Sequence, residues 1–135
     1  MKRLALLLPL LFAMPAWADQ RPIDMTTVLM GADGKPITDT TKLTADDPRC
    51  EKCGPMTLGT VVGMALLLDR KEDAQMDPIA KARRGALALQ IMDNKAAVLS
   101  AAQIAEITKL MSVWPPLVLA RALPLLDPNL NLAAQ

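Results

Sequence analysis

The apolar and polar positions change character along the chain, from a short β-branched run near the N-terminus to a helical period after residue 57. The segment 23–30 is rich in apolar and β-branched residues. Asp33-Gly34 follows it, and this dipeptide is typical of the turn of a β-hairpin. Pro36 has no backbone N–H, so a returning strand is confined to the edge of a sheet. The pattern predicts a short N-terminal β-hairpin.

Four later segments have the apolar period or the end signals of helices. Thr57 is typical of an N-cap for the first, and the Asp-Pro pair at 77–78 supplies an N-cap and a first-turn proline for the second. The Pro-Pro pair at 115–116 ends the third and opens the fourth, which Pro124 is expected to kink or stop. The predicted apolar stripes are Leu58, Val61, Val62, Ala65 and Leu66 in the first helix, Ile79, Ala82, Ala86 and Leu89 in the second with Leu87 and Ile91 widening the stripe, Ile104, Ile107, Leu110 and Met111 in the third, and Leu117, Val118 and Leu123 in the fourth.

The polar stretches between these segments are interpreted as loops. Residues 38–49 show no period and are predicted to form a loop. The charged stretch 69–77 is predicted to be a second, solvated loop. A basic cluster on the second helix is predicted to lie on a solvated face. The residues concerned are the acids Asp69, Glu72, Asp73 and Asp77 and the bases Lys81, Arg83 and Arg84.

The start of the third helix has the strongest local signal in the chain. Ser100 and Gln103 have the spacing of a capping box, in which each side chain accepts a hydrogen bond from the other residue's backbone N–H. Leu99 and Ile104 occupy the two positions of a hydrophobic staple around that box. We predict a structural role for all four residues, with the helix running to about residue 113.

The fold expected from these elements is mainly α, with a short N-terminal β-hairpin followed by about four helices packed as a small bundle. Residues 19–126 are predicted to form one small helical domain that includes the hairpin and a loop with two cysteines. Residues 127–135 are predicted to be a flexible tail.

The first 18 residues have the features of a signal peptide. Lys2 and Arg3 precede the apolar run 4–14, and Ala16-Trp17-Ala18 supplies small residues for cleavage after Ala18. The apolar run is too short to cross about 30 Å of hydrocarbon. We therefore expect a periplasmic protein whose mature chain begins at Asp19.

Charge and composition narrow the function of the mature chain. The full chain has 15 basic and 14 acidic residues, so loss of Lys2 and Arg3 leaves 13 basic against 14 acidic residues and a net charge of −1. A near-neutral protein offers no general electrostatic attraction to nucleic acid. The sequence has no second long apolar run, so we expect no membrane span after cleavage. The chain has no histidine, so a Ser-His-Asp triad is excluded for Ser100 and Ser112, its only serines. We predict that the protein is not an enzyme.

Cys50 and Cys53 are the only cysteines, and their C-x-x-C spacing allows four interpretations. A c-type haem is excluded because Gly54 follows in place of histidine. A disulfide formed after export, half of a zinc site completed by a second chain, a redox-active pair and free thiols all stay open. The Gly54-Pro55 that follows disfavours a helix start, which a low thiol pKa would require. We predict a structural Cys50–Cys53 disulfide, with neither a bound metal nor a cofactor.

Five segments of the mature chain are similar to a group of small phage and prophage proteins of unassigned function. The resemblance covers about 31–126, and this chain differs by its leader and by the cysteine-bearing stretch 44–54. The resemblance implies a shared fold and brings no catalytic residues with it. The segments are GADGKPITD, MTLGTVVGMALL, KARRGALALQI, VLSAAQIAEITKLM and PPLVLARALPLL.

The function expected from these observations is binding. The leading hypothesis is an exported, non-catalytic protein-interaction module with an unknown protein partner. The resemblance implies that the module descends from a phage or prophage protein. The alternative is a periplasmic thiol-based redox or metal-handling protein that uses Cys50 and Cys53.

Overall fold

The computed structural model describes residues 21–133. Within that range the chain forms four α-helices, which are α1 (Leu58–Leu67), α2 (Pro78–Asp93), α3 (Ala101–Leu110) and α4 (Pro116–Leu126). It also forms two short strands, β1 (Ile23–Asp24) and β2 (Ala96–Ala97), and three 3₁₀ segments, Thr40–Lys42, Lys71–Gln75 and Met111–Val113. The predicted signal peptide, 1–18, lies outside the described residues and stays a prediction. The predicted mainly helical fold, with four helices and a small antiparallel β element, is confirmed.

The β element joins residues that are far apart in sequence. Strand β1 pairs antiparallel with β2, so that Ile23 lies opposite Ala97. The turn after residue 30 forms as well, with Gly34 at a φ of 75° and the Gly31 N–H donating to the Lys35 carbonyl at 2.7 Å. A bridge between Met30 and Pro36 follows this turn, and the Ile37 N–H donates to the Leu29 carbonyl at 2.9 Å. The ladder goes no further because Val28 bridges to Thr57 and Thr38 bridges to Pro55.

Helix α1 lies at the centre of the core. Thr57 caps it, since the Thr57 hydroxyl accepts a hydrogen bond from the Thr60 N–H at 3.3 Å. Glycine allows other elements to approach it closely: a Cβ at Gly59 would lie 3.0 Å from the Met25 carbonyl oxygen, and one at Gly63 would lie 2.6 Å from the sulfur of Met92. The closest packing of α1 is therefore against α2 and the segment around Met25. The fully buried residues of α1 are Leu58, Val61, Val62 and Ala65.

Helix α2 buries a different face from the one that the sequence predicts. Its buried residues are Arg84, Ala88 and Ile91. The predicted stripe of Ile79, Ala82, Ala86 and Leu89 is exposed along its whole length. The expectation that these four residues pack on the core is wrong, whereas Ile91, which widens the predicted stripe, is buried and Leu87 packs against the core. The reason lies in the partners of Arg84 and Ala88, which are a buried carboxylate and the glycine-bearing side of α1.

Helices α3 and α4 close the core from the C-terminal side. The Trp114 indole N–H donates to the Val61 carbonyl at 3.0 Å and fixes the connection between them onto α1. Helix α4 continues through Pro124 to Leu126, so the expectation that proline stops it there is wrong. Only the N–H of Pro124 is lost to the helix, and the Asp127 N–H donates to the Leu123 carbonyl at 2.9 Å. The buried residues of α4 are Val118, Ala122 and Leu126.

Candidate functional site

The two cysteines form a disulfide within an irregular loop. Their Cα atoms are 5.0 Å apart. Cys53 is 2% exposed, whereas Cys50 is partly exposed. Cys50 has a φ of 57° and Gly54 one of 71°, so the chain reverses around the pair. Helix α1 begins only at Leu58, and the cysteines therefore lack the helix N-terminus that lowers the pKa of reactive thiols.

The cysteine loop is also held by hydrogen bonds. The Asp47 carboxylate accepts from the backbone N–H groups of Glu51 at 2.9 Å and Lys52 at 2.8 Å. The Asp39 N–H donates to the Gly54 carbonyl at 3.0 Å. The disulfide thus closes a turn that already has polar support. Among residues 21–133, no group of three or more acidic, cysteine or histidine side chains is placed to hold a metal ion.

Asp39 is a buried residue in the polar stretch 38–49, which is irregular apart from the 3₁₀ segment Thr40–Lys42. Its side chain is fully buried and accepts a hydrogen bond from the Thr41 N–H at 3.2 Å. The Lys42 ammonium lies 3.4 Å from its other oxygen. Asp39 therefore anchors the beginning of the cysteine loop, which is a structural task.

The capping residues of α3 are placed together at its N-terminus. The Ser100 N–H donates to the Gln103 side-chain oxygen at 2.9 Å, and the Gln103 N–H donates to the Ser100 hydroxyl at 3.1 Å. Leu99 is buried and Ile104 packs against the core. Since the hydroxyl of Ser100 is engaged by the cap, this geometry gives all four residues a structural role.

A buried ion pair between α2 and the 3₁₀ segment Lys71–Gln75 was not foreseen. Arg84 donates two bonds to the Asp73 carboxylate, at 2.9 and 2.5 Å, and both side chains are less than 10% exposed. The prediction that these two residues are solvated is wrong. The Arg84 hydrogen bond, followed by the Arg70 backbone N–H and nearby positive charge, lowers the pKa of Asp73 to about 2 although burial opposes the shift. The same bond raises the pKa of Arg84.

Arg70 extends this pair to α3. Its backbone N–H donates to the Asp73 carboxylate at 2.9 Å, and its guanidinium donates to the carbonyl of Leu110, at the end of α3. Its Nε is buried without an acceptor in the described part of the chain. Arg84, Ala88 and Ile91 have the spacing i, i+4, i+7, but the charge of Arg84 removes it from an apolar pattern, so local sequence gives no signal for this buried face.

A cavity of about 500 Å³ lies beside the ion pair, in the size range of small-molecule sites. Three basic and three acidic side chains line it, so the lining favours neither an anion nor a cation. Ser112 also lines it, but no base contacts that hydroxyl in residues 21–133. The geometry supports ion pairing between elements and gives no group an evident chemical task. The charged residues are Arg70, Arg84, Lys109, Glu72, Asp73 and Glu106.

The most distinctive surface feature is the exposed apolar face of α2, which we name the outer stripe and define as Ile79, Ala82, Ala86 and Leu89. Ile79 is 62% exposed and Leu89 is 57% exposed, more than any other large apolar side chain in the described range. Successive members are three, four and three residues apart, so they lie on one side of the helix. Other strongly exposed apolar residues, such as Leu43 and Val98, lie in separate parts of the chain.

Comparison with known proteins gives no functional guide. No family model, curated protein or solved structure matches the chain. The resemblance to small phage and prophage proteins therefore stays a prediction. Among the described residues, no helix has both the length and the apolar character needed to cross a membrane.

Proposed function

We propose that this chain is an exported, non-catalytic protein-interaction module that binds its partner through the outer stripe of α2. The exposure of Ile79 and Leu89 supports this proposal most directly. Full burial of an isoleucine or leucine side chain is worth about 1.5–3 kcal/mol, and the fold leaves more than half of each of these residues exposed. Single exposed apolar residues are normal on protein surfaces, but four along one helix face are typical of a contact surface.

Two further observations favour binding over catalysis. The chain contains no histidine, and neither serine hydroxyl is hydrogen-bonded to an acidic or basic side chain in the described part of the chain. The buried Asp73 carboxylate forms a hydrogen-bonded ion pair with Arg84. Asp39 accepts from the Thr41 N–H, and its other oxygen lies 3.4 Å from the exposed Lys42 ammonium without a hydrogen-bond partner among the described residues. These charges stabilise loops and helix contacts, whereas the outer stripe contributes to no internal contact of this kind.

The thiol-based alternative has weaker geometric support. Cys53 is buried, and the pair lies in a loop rather than at a helix start. Replacing both cysteines by serine tests it directly. The interaction proposal predicts unchanged partner binding and a loss of stability of at most about 2 kcal/mol, since the closed loop is very short. Loss of function with an intact fold would favour the thiol-based alternative.

Position-specific photo-crosslinking in cells that express the full chain tests the interaction proposal. A photoreactive amino acid at 79, 82, 86 or 89 should give crosslinks to one common protein, whereas the same amino acid at 43 or 98 should not. Leu89→Lys should remove the crosslinks formed from position 82, and Leu43→Lys, a change at an equally exposed leucine, should leave them. Equal crosslinking from all six positions, or none from the stripe, would overturn the proposal.

Export has its own test. Mass spectrometry of periplasmic material should find Asp19 at the N-terminus of the mature protein. Recovery of only the intact chain, starting at Met1, from the cytoplasm would contradict export and would leave the docking surface untouched.

A further inference from the structure

The two sulfur atoms of the Cys50–Cys53 disulfide differ in accessibility. Cys53 is 2% exposed and belongs to the buried residues, whereas Cys50 is partly exposed. A thiolate that attacks a disulfide must reach one of its two sulfur atoms, so access decides which of them is attacked. An external thiol therefore reaches Cys50, and Cys53 becomes the leaving group.

A cavity beside Cys50 gives an external thiol room to approach. Its volume is about 330 Å³, and its lining comprises Cys50, Glu51 and the segments 36–38 and 54–55. Cys53 is not among the lining residues. The cavity thus opens onto the same cysteine that the difference in exposure selects.

The backbone at Cys50 adds a second sign of lability. Its φ of 57° makes Cys50 the only residue other than glycine with a positive φ in the range 21–133. This left-handed conformation is unfavourable for a residue with a Cβ atom, and backbone strain of this kind is common at functional sites. Strained or exposed disulfides exchange readily, whereas structural ones resist reduction. Because the closed loop is very short, the disulfide also constrains the unfolded chain only slightly.

Hydrogen bonds support the turn independently of the disulfide. The Asp47 carbonyl accepts from the Cys50 N–H at 3.0 Å, and the Asp47 carboxylate accepts from the N–H groups of Glu51 and Lys52. The Cys53 N–H donates to the Cys50 carbonyl at 3.2 Å. These bonds hold both thiols in one short turn after reduction, and the resulting high effective concentration favours closure of the disulfide again.

We propose that Cys50 and Cys53 form a reversible thiol–disulfide exchange site, at which an external dithiol attacks Cys50 and Cys53 acts as the resolving cysteine. One thiolate of the dithiol bonds to the Sγ of Cys50 while the bond between the two cysteines breaks. Cys53 leaves as a thiolate and takes up a proton from water. The second thiolate of the dithiol then attacks its own molecule's sulfur in the mixed disulfide and releases Cys50, so that two electrons pass from the dithiol to this chain.

In this exchange the chain is the substrate of a redox reaction and not its catalyst. Its cysteines lack the helix N-terminus that makes a thiol a strong attacking group, because α1 begins only at Leu58. The disulfide needs no such activation to be attacked. The inference goes beyond the proposed function and does not depend on the outer stripe.

Reduced glutathione is a suitable probe, because a monothiol forms the mixed disulfide but cannot resolve it within one molecule. The folded mature chain is incubated with glutathione, exchange is stopped with acid, and the free thiols are alkylated with a maleimide after unfolding. Trypsin cleavage after Lys52 separates the two cysteines for mass spectrometry. Glutathione should be found on Cys50 at least about tenfold more often than on Cys53. In the chain unfolded in urea, the two cysteines should be labelled about equally.

A pair of neighbouring variants tests the role of the turn. Asp47→Ala removes the carboxylate that holds the turn, and closure of the disulfide from the mixed disulfide on Cys50 should become at least about threefold slower. Asp46→Ala, a change at the adjacent exposed carboxylate, should leave the rate unchanged. Equal rates in the two variants would contradict the role of Asp47.

Two results would overturn the proposal itself. Equal labelling of the two cysteines in the folded chain would contradict attack at Cys50. Resistance of the folded chain to a glutathione concentration that reduces the unfolded chain in the same time would identify a purely structural disulfide. Either result would leave the proposed interaction through the outer stripe standing.

Discussion

The two faces of α2 have opposite relations between polarity and burial. The inner face, which we define as Arg84, Ala88 and Ile91, contains a charged residue and is buried. The outer stripe contains only apolar residues and is exposed. A hydrophobic period therefore identifies α2 as a helix but does not determine which of its sides faces the core. Complementarity with neighbouring elements determines that.

Two contacts select the inner face. Ala88 is fully buried against the side of α1 that carries Gly59 and Gly63, where both helices have small residues and can pack closely. Arg84 is buried because Asp73 accepts two hydrogen bonds from it and neutralises its charge. Turning α2 by half a revolution would bury more aliphatic surface but would separate this ion pair and place Ile79 and Leu89 against α1.

The largest difference between the faces should be in the free energy of unfolding that is lost when an aliphatic side chain is shortened to alanine. Ile91→Ala removes side-chain volume from a position that is 1% exposed, and about 2–5 kcal/mol of the free energy of unfolding should be lost. Leu89→Ala, at 57% exposure, should change it by no more than about 0.5 kcal/mol. Urea denaturation of both variants measures the contrast. Similar losses would show that both faces are buried in solution.

The sequence predicted local features of the molecule well and distant pairings poorly. The caps at Thr57 and Ser100 depend on residues three positions away, so local spacing contains the necessary information. Pairing of Asp73 with Arg84 depends on how a 3₁₀ segment turns back onto α2, and burial of Asp39 depends on its contact with the distant Gly54. Such contacts are set by tertiary packing, and residues that are brought together in this way show no periodic pattern in a single sequence. The candidate site was missed for the same reason, because the stripe was assigned to the core.

The adjacent residues Arg83 and Arg84 allow the exposed and buried faces of α2 to be compared by removal of a charge. Arg84→Leu leaves the Asp73 carboxylate without its partner and should lower the midpoint of urea denaturation clearly. Arg83→Leu, one residue away and exposed, should leave the midpoint nearly unchanged. A double variant with leucine at both 73 and 84 should recover part of the loss, since no unpaired charge remains. Equal behaviour of the two arginine variants would contradict burial of the pair.

Acid titration of stability should report the same ion pair with a smaller effect. The pKa of Asp73 is lowered from 3.8 to about 2 in the folded chain. Because the folded state favours the charged form, this contribution is complete above the unfolded pKa and is lost as pH falls from about 4 toward 2. Asp73→Asn should be less stable at neutral pH and should show a smaller decrease over that range. Denaturation curves at several pH values measure this difference, with Asp46→Asn as an exposed control that should keep the full pH dependence. If Asp73→Asn also kept the full pH dependence, the assignment to Asp73 would be contradicted.

The smallest expected effect distinguishes Gly85, on an open side of α2, from Gly59, on a packed side of α1. Gly85→Ala adds a methyl group where nothing lies within 4 Å, and alanine favours a helix interior over glycine, so stability should rise by about 0.5–1 kcal/mol. Gly59→Ala gains the same propensity, but its Cβ would lie 3.0 Å from the backbone oxygen of Met25, which cannot rotate away as a side chain can. Its net effect should therefore be destabilising. Thermal unfolding of the two variants should give shifts of opposite sign, because the propensity term is common to both and only the contact with Met25 differs. A stabilising Gly59→Ala would show that α1 has room beside Met25, and the close approach of that segment to α1 would then be absent.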